Sequence, residues 1–330
     1  MRKVIVLIIV LFSCQSWAHV RWFIDAAEVE SVSLPQDSLA LGILLFVLSF
    51  CFVVHYVTKV GLLGGFTAKP ILQESLVLWR FLTFVMALFF ILNLILGEFV
   101  APNLQLLTGQ EWIGVVLQVT VVAVMAVSVS VSGLIIVALA LSLFYLQPFS
   151  IAIDYFPELL AIGTALVVMG PLLNPVDQGV FGSVSRRIGG RAFAVKQLRF
   201  LLGLQLFILG IHNKMMLPGL SLAFVEAYPY YNFMQLLGWS EFSHIHFVWF
   251  VGVSETLLGV MLMLGFATRC VTSLLAAIFV TTTIVSGPAE VLGHMPIFAM
   301  AFLLLSESTN ILQISEKRAN KERESNTCIN

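Results

Sequence analysis

Charged residues are scarce in this chain. Only 11% of its 330 residues are Asp, Glu, Lys or Arg, and the formal net charge is −1 at pH 7. A chain with so little positive charge offers no basic surface for nucleic acid, so nucleic acid is excluded as a partner. Hydrophobic residues instead make up 59% of the sequence, and the mean hydropathy is +1.00. This composition excludes an ordinary soluble globular protein.

Cysteine pairs and the common catalytic motifs are also missing. The four cysteines, Cys14, Cys51, Cys270 and Cys328, are far apart and form no CxxC motif. A paired-thiol relay, a cysteine zinc site and a disulfide framework are therefore unsupported. The sequence has no Walker phosphate loop, HExxH, GxSxG or nucleotide fingerprint. These absences leave ATP-driven transport and hydrolase chemistry without support.

Long apolar runs are the dominant feature that is present. A membrane-spanning helix needs about 20 mainly apolar residues. We predict spans at about 38–58, 75–97, 112–127, 134–146, 157–173, 198–213, 247–266, 271–286 and 295–311. The third and fourth spans run together, so the turn between them is inferred from the excess length of that run. The sequence therefore predicts an all-α, polytopic transmembrane helix bundle with about nine spans after signal removal.

The first residues have the pattern of a cleaved secretory signal. A basic start at 1–3 precedes a short apolar core at 4–12, and Ala18 is a small residue suited to cleavage. Cleavage there would make His19 the first residue of the mature chain. An uncleaved anchor is the main alternative, although the core is short for a span. Lipoprotein processing at Cys14 is a second alternative.

The distribution of charge predicts the topology. Lysines and arginines cluster after the first span, between the fifth and sixth spans, at Arg269 and in the tail. The opposite loops carry acidic residues, namely Glu98, Glu111, Asp154, Glu158, Glu226 and Glu241. Since positive loops stay cytoplasmic, we expect an inner (plasma) membrane protein of bacterial type. Its mature N-terminus would be periplasmic and its C-terminus cytoplasmic.

A glycine- and proline-bearing loop predicts the division into two halves. The expected segments are a signal peptide (1–18), a periplasmic segment (19–37), an N-terminal transmembrane half (38–173), a cytoplasmic linker loop (174–196), a second transmembrane bundle (197–312) and a cytoplasmic tail (313–330). The sequence around Arg80 is similar to that around Arg199. A duplicated four-helix bundle, preceded by one N-terminal span, would explain this similarity.

Glu255 is the strongest single-residue signal. It lies near the middle of the seventh predicted span, where a carboxylate costs about 3 kcal/mol unless it is protonated or paired. Gly252 and Gly259 share its helical face, so another helix can approach closely and bring a partner. His212 and Lys214 are the candidate partners. The alternative is a neutral, hydrogen-bonded glutamate that holds two helices together.

The histidines suggest a metal site at the outer side. His19 would combine an imidazole with a free α-amino group, and such nitrogen ligands suit copper(II). His212, His244, His246 and His294 lie at or beyond outer helix ends, where they could gather around a transition metal. Histidine is also common at bilayer interfaces, so interfacial placement without a metal is the alternative.

Three motifs of the second half resemble the DoxX/DoxD-like membrane family: LRFLLG at 198–203, GIHNK at 210–214 and ETLLGVMLMLGFATR at 255–269. The resemblance covers about 196–308, a third of the chain. It implies a four-helix membrane bundle, and some members are linked to quinone reduction or to oxidative-stress complexes. The positions matched to the family are His212, Lys214, Glu255, Gly259, Gly265 and Arg269.

The leading functional expectation is a redox-associated membrane subunit that meets a quinone or a redox partner protein at its outer half. Glu255 would gate or carry a proton, with His212 as its hydrogen-bonding partner. Lys214 would attract an anionic substrate, and Arg269 would fix the inner end of the bundle. The first alternative is a copper-handling protein that uses His19. The second alternative is a non-catalytic membrane scaffold.

Overall fold

The computed structural model describes residues 32–62, 75–102, 104–106, 109–286 and 291–307, and no strand occurs among them. The helices are α1 (Ser38–Lys59), α2 (Ser75–Leu96), α3 (Glu111–Met125), α4 (Val129–Leu146), α5 (Phe149–Leu173), α6 (Pro175–Arg187), α7 (Gly190–Gly210), α8 (Pro218–Ala227), α9 (Phe233–Leu236), α10 (His244–Leu264), α11 (Thr268–Ser286) and α12 (Val291–Glu307). A π-helix, Ile211–Met216, continues α7. The predicted signal peptide and cytoplasmic tail lie outside the described residues.

Six helical segments of the described part are long and apolar enough to cross a bilayer. They are α1, α2, α4, α5, α7 with its π-helical continuation, and α10. The apolar segments of α3, α11 and α12 are shorter. Large apolar side chains such as Phe52, Ile95 and Ile284 are exposed on the outside of the bundle. The chain is therefore a helical membrane bundle whose outer surface contacts lipid.

Helix α5 begins eight residues earlier than the sequence prediction placed it. Its first residue is Phe149, and Pro157 lies buried inside the helix. The prediction took Pro157 as a helix start, whereas membrane helices tolerate internal proline because their neighbours hold the helix in place. Asp154 and Glu158 are consequently buried in α5, and their predicted position in an outer loop is wrong.

The predicted linker loop at 174–196 is mostly helical. Asn174 begins α6 by accepting a hydrogen bond from the Val176 N–H at 3.0 Å. The buried carboxylate of Asp177 holds α6 against the start of α4, because it accepts bonds from the Ser128 hydroxyl and from the Ser130 N–H. Pro175 and Gly189 therefore lie at helix ends, whereas Gly179 and Gly182 lie inside α6. A left-handed glycine separates α6 from α7.

Paired glycines let two pairs of helices pack with their backbones in contact. A Cβ on Gly133 of α4 would lie 2.6 Å from the carbonyl oxygen of Gly163 on α5. A Cβ on Gly203 of α7 would likewise lie 2.6 Å from the carbonyl oxygen of Gly259 on α10. Small residues at such crossings are typical of membrane helices. Since α5 also packs along α7, the order across the centre is α4, α5, α7, α10.

Candidate functional site

The π-helix places three polar residues between two neighbouring helices. It follows α7 without a break and carries His212, Asn213 and Lys214 in succession. His212 and Asn213 contact α5, whereas Lys214 contacts α10. Short π-helical segments inside α-helices are frequent at functional sites. This segment therefore joins two buried polar groups, one on each side of α7.

The first group is an ion pair between Lys214 and Glu255. Lys214 Nζ lies 2.8 Å from Glu255 Oε2, and the two side chains are only 1% and 4% exposed. Removal of water strengthens their attraction but also makes either charge costly alone. Loss of one partner from such a pair costs about 3–5 kcal/mol. The two residues therefore depend on each other for their charge.

Gly252 makes room for this ion pair. A Cβ on Gly252 would lie 2.9 Å from the Cβ of Lys214 and 3.4 Å from the carbonyl oxygen of Gly210. The absence of a side chain thus lets the lysine pass along α10 toward Glu255. Of the two partners that the sequence offered for Glu255, the structure places Lys214 there. His212 contacts the other helix, so the expected hydrogen bond from His212 to Glu255 is wrong.

The second group surrounds the carboxylate of Asp154. His212 Nδ1 lies 3.3 Å from Asp154 Oδ1, and Asn213 Nδ2 donates to Asp154 Oδ2 at 3.0 Å. The amide of Gln205 donates to the backbone carbonyl of Asp154. Asp154 is buried, whereas the His212 side chain is 19% exposed. His212 therefore links a buried carboxylate to the surface of the bundle.

Glu158 lies one turn further along α5 and has different surroundings. Its side chain is buried, and Oε2 has no hydrogen-bond partner in the described part of the chain. The carbonyl oxygen Oε1 of Gln205 also lacks a donor there. Sequence reasoning missed Asp154 and Glu158 as site residues because it assigned both to a loop. Their spacing of four residues beside an apolar run was the signal that they share a helical face.

Helix α8 lies beside Lys214. The hydroxyl of Ser221 in α8 donates to the backbone carbonyl of Asn213 at 3.0 Å. A cavity of about 10 Å³, enough for one water molecule, borders Lys214, Ser221 and Phe247. Lys214 is thus buried and paired with Glu255, and its expected attraction of an anionic substrate stays a prediction.

His246 joins the start of α10 to the start of α1. Its Nε2 lies 2.8 Å from Asp37 Oδ2, and its Nδ1 lies 2.7 Å from the Ser243 hydroxyl. Asp37 also caps α1, because its Oδ1 accepts the Ala40 N–H at 2.8 Å. This backbone hydrogen bond, together with His246, lowers the pKa of Asp37. His246 thus connects the first turn of α10 to the residue that caps α1.

The other predicted metal ligands have separate neighbours. His244 Nδ1 lies 3.3 Å from Asn232 Nδ2, and the His294 ring packs on Phe279 with 4.8 Å between ring centroids. Within the described ranges, no group of three or more His, Cys, Asp or Glu side chains could hold a metal ion. His19 lies outside those ranges, so its predicted copper chemistry stays a prediction.

The other end of the bundle carries the remaining matched residues. Gly265 ends α10 at φ +77°, and a Cβ there would lie 2.5 Å from the Arg199 guanidinium. Arg269 is buried in the first turn of α11. An unpredicted ion pair also lies in the bundle, where Arg191 Nη2 is 2.5 Å from Oε2 of the buried Glu307. The indole of Trp79 donates to the other oxygen of Glu307, so three helices meet there.

Comparison of the chain with family models, with curated proteins and with solved structures finds no match. The resemblance to DoxX/DoxD-like proteins, which rests on the three motifs quoted above, stays a prediction.

Proposed function

We propose that the chain is an inner-membrane protein with about nine spans, a periplasmic mature N-terminus and a cytoplasmic C-terminus. The distribution of positive charge supports this orientation. Helices α3, α11 and α12 would supply the three spans beyond the six long ones, because short apolar helices can be accommodated by local thinning of the bilayer.

The function that the geometry supports best is that of a redox-associated, quinone-linked membrane subunit in which Lys214 and Glu255 handle a proton. The observation that carries this proposal is their burial as an ion pair. Apolar residues of similar size would hold two helices together equally well, so a buried ion pair is weak evidence for a purely stabilising role. Ionisable groups at this depth are functional candidates by default.

The pair can exchange one proton without changing its net charge. Transfer of a proton from Lys214 Nζ to Glu255 Oε2 converts an ion pair into a neutral amine and a neutral acid. Reduction of a quinone to a quinol consumes two electrons and two protons. Each proton that Glu255 donates to the quinone is replaced by one that Lys214 takes up from water, which restores the ion pair. The resemblance of the second half to a family with quinone-linked members supports this choice of substrate class. The electrons would come from a partner protein at the outer half.

The test is quinone-linked respiration in a strain that carries Glu255→Gln. We expect a loss of about 100-fold, the lower end of what a positioned proton-transfer group contributes. Glu226→Gln is the matched control, because Glu226 is exposed in α8. Protein abundance in the membrane is measured in parallel so that a folding defect is recognised.

A double variant separates this proposal from the scaffold alternative. Lys214→Met combined with Glu255→Leu removes both charges together and keeps apolar side chains between α7 and α10. Replacements of this kind are often neutral or stabilising. We expect normal abundance without quinone-linked activity. Full activity in the double variant would contradict the proposal and favour a scaffold.

A further inference from the structure

We propose that His212, Asp154 and Glu158 form a proton relay that delivers a proton from the surface of the bundle to a buried acid on α5. Glu158 is the proton-binding group, Asp154 is the intermediate acceptor, and His212 exchanges protons with water. This site lies on the opposite side of the π-helix from the Lys214–Glu255 ion pair. It therefore stands independently of the proposed quinone-linked function.

The Asp154 carboxyl lies within hydrogen-bond reach of two side chains that follow α7. Both of its carboxylate oxygens have a polar nitrogen within reach, one from His212 and one from Asn213. A carboxylate can only accept hydrogen bonds, so in the proposed relay His212 presents its Nδ1 proton to Asp154. That tautomer leaves Nε2 as the atom that exchanges protons with water. Asp154 is thus held ready to receive the Nδ1 proton.

The surroundings of Glu158 favour its neutral form. Among the described residues no cationic side chain lies within ion-pair distance of Glu158, and Oε2 has no donor. A charged carboxylate would be very costly in such a place, whereas a protonated carboxyl is tolerated. Two neighbouring carboxyl groups in different surroundings are the arrangement that proton-transfer sites use. The proton resides on Glu158 and reaches it through Asp154.

The geometry of α5 brings the two acids together. Residues four apart on a helix lie on one face with about 5–6 Å between their Cβ atoms. Gln205 of α7 lies against this part of α5, since its amide nitrogen donates to the backbone carbonyl of Asp154. Its Oε1 has no donor among the described residues. The titratable members of this unit are Glu158 and Asp154 on α5 and His212 on the π-helix. Lys214, also on the π-helix, pairs with Glu255 of α10.

The first measurement locates the proton. Infrared difference spectroscopy of the full chain in lipid nanodiscs, without quinone, reports the C=O stretch of protonated carboxyl groups. We expect a band that shifts when water is replaced by heavy water and that disappears in Glu158→Gln. Glu226→Gln should leave that band unchanged. Persistence of the band in a folded Glu158→Gln variant would overturn the proposal.

The second measurement tests the relay without altering the buried acid. We expect His212→Ala to slow hydrogen–deuterium exchange of the Glu158 band by about 100-fold, as expected for loss of a positioned proton-transfer group. Imidazole added to this variant should restore the rate, because a free imidazole can occupy the partly exposed position. A purely structural histidine would not respond to imidazole in this way. Unchanged exchange in His212→Ala would overturn the relay even if Glu158→Gln failed to fold.

Discussion

At the scale of single residues, the site depends on a glycine, which leaves space, as well as on charged side chains. Lys214 reaches Glu255 because Gly252 leaves the path open. His212 and Asn213 reach the opposite helix from adjacent positions, so one π-helical turn serves two carboxylates. A change in the backbone of this turn would therefore move both groups, whereas a change of one side chain removes one contact.

Gly252→Ala tests this dependence on space. The new methyl would lie 2.9 Å from the Cβ of Lys214, so the lysine or the helix must shift. We expect a loss of about 1–3 kcal/mol in the free energy of unfolding, the usual cost of overpacking. Reversible unfolding in detergent, followed by circular dichroism, measures this quantity.

The matched control is Gly42→Ala in α1, where a Cβ would have nothing within 4 Å. Its effect should stay within about 0.5 kcal/mol, as for most substitutions away from close contacts. Equal destabilisation by the two variants would contradict the close approach of Lys214 to Gly252.

At the scale of helices, the sequence predicted the presence of each helix better than the residues at which it begins and ends. A helix lies at the position of every predicted span, and six helical segments of the described part are long and apolar enough to cross a bilayer. The start of α5 was placed too late because Pro157 is held by packing that the sequence does not reveal. Glu255 and Lys214 could be singled out by their burial in apolar runs. The Asp154–Glu158 group could not, since it depends on that boundary and on the π-helix.

Contacts between helix ends make α1 sensitive to acid. Asp37 caps α1 and contacts His246 of α10, and its pKa lies below the usual value of 3.8. A lowered carboxyl pKa means that this stabilisation is complete above the unfolded-state pKa and is lost as pH falls through the folded-state pKa. We expect faster amide exchange at Ala40 below about pH 4, near the ordinary pKa of aspartate.

Hydrogen–deuterium exchange with mass spectrometry, corrected for the intrinsic pH dependence of exchange, measures this release of the α1 terminus. Asp37→Asn is the appropriate comparison because it retains a capping oxygen without titrating. In this variant, the Ala40 amide should gain no additional protection from exchange as the pH rises through the range in which aspartate titrates. Identical pH profiles for the wild type and the variant would contradict a role for the Asp37 charge.

At the scale of the whole molecule, the two halves meet along α5 and α7, and the polar contacts of Asp154 cross that junction. Two halves divided between α6 and α7, at the exposed Gly189, should therefore assemble when they are expressed together. Asp154→Ala removes the acceptor of His212 and Asn213, so we expect it to reduce co-purification of a tagged first half with the second. Gln178→Ala, an exposed change on α6, should leave it intact. Halves that purify separately would contradict the junction. Assembly that is unchanged by Asp154→Ala would mean that apolar packing alone joins the halves.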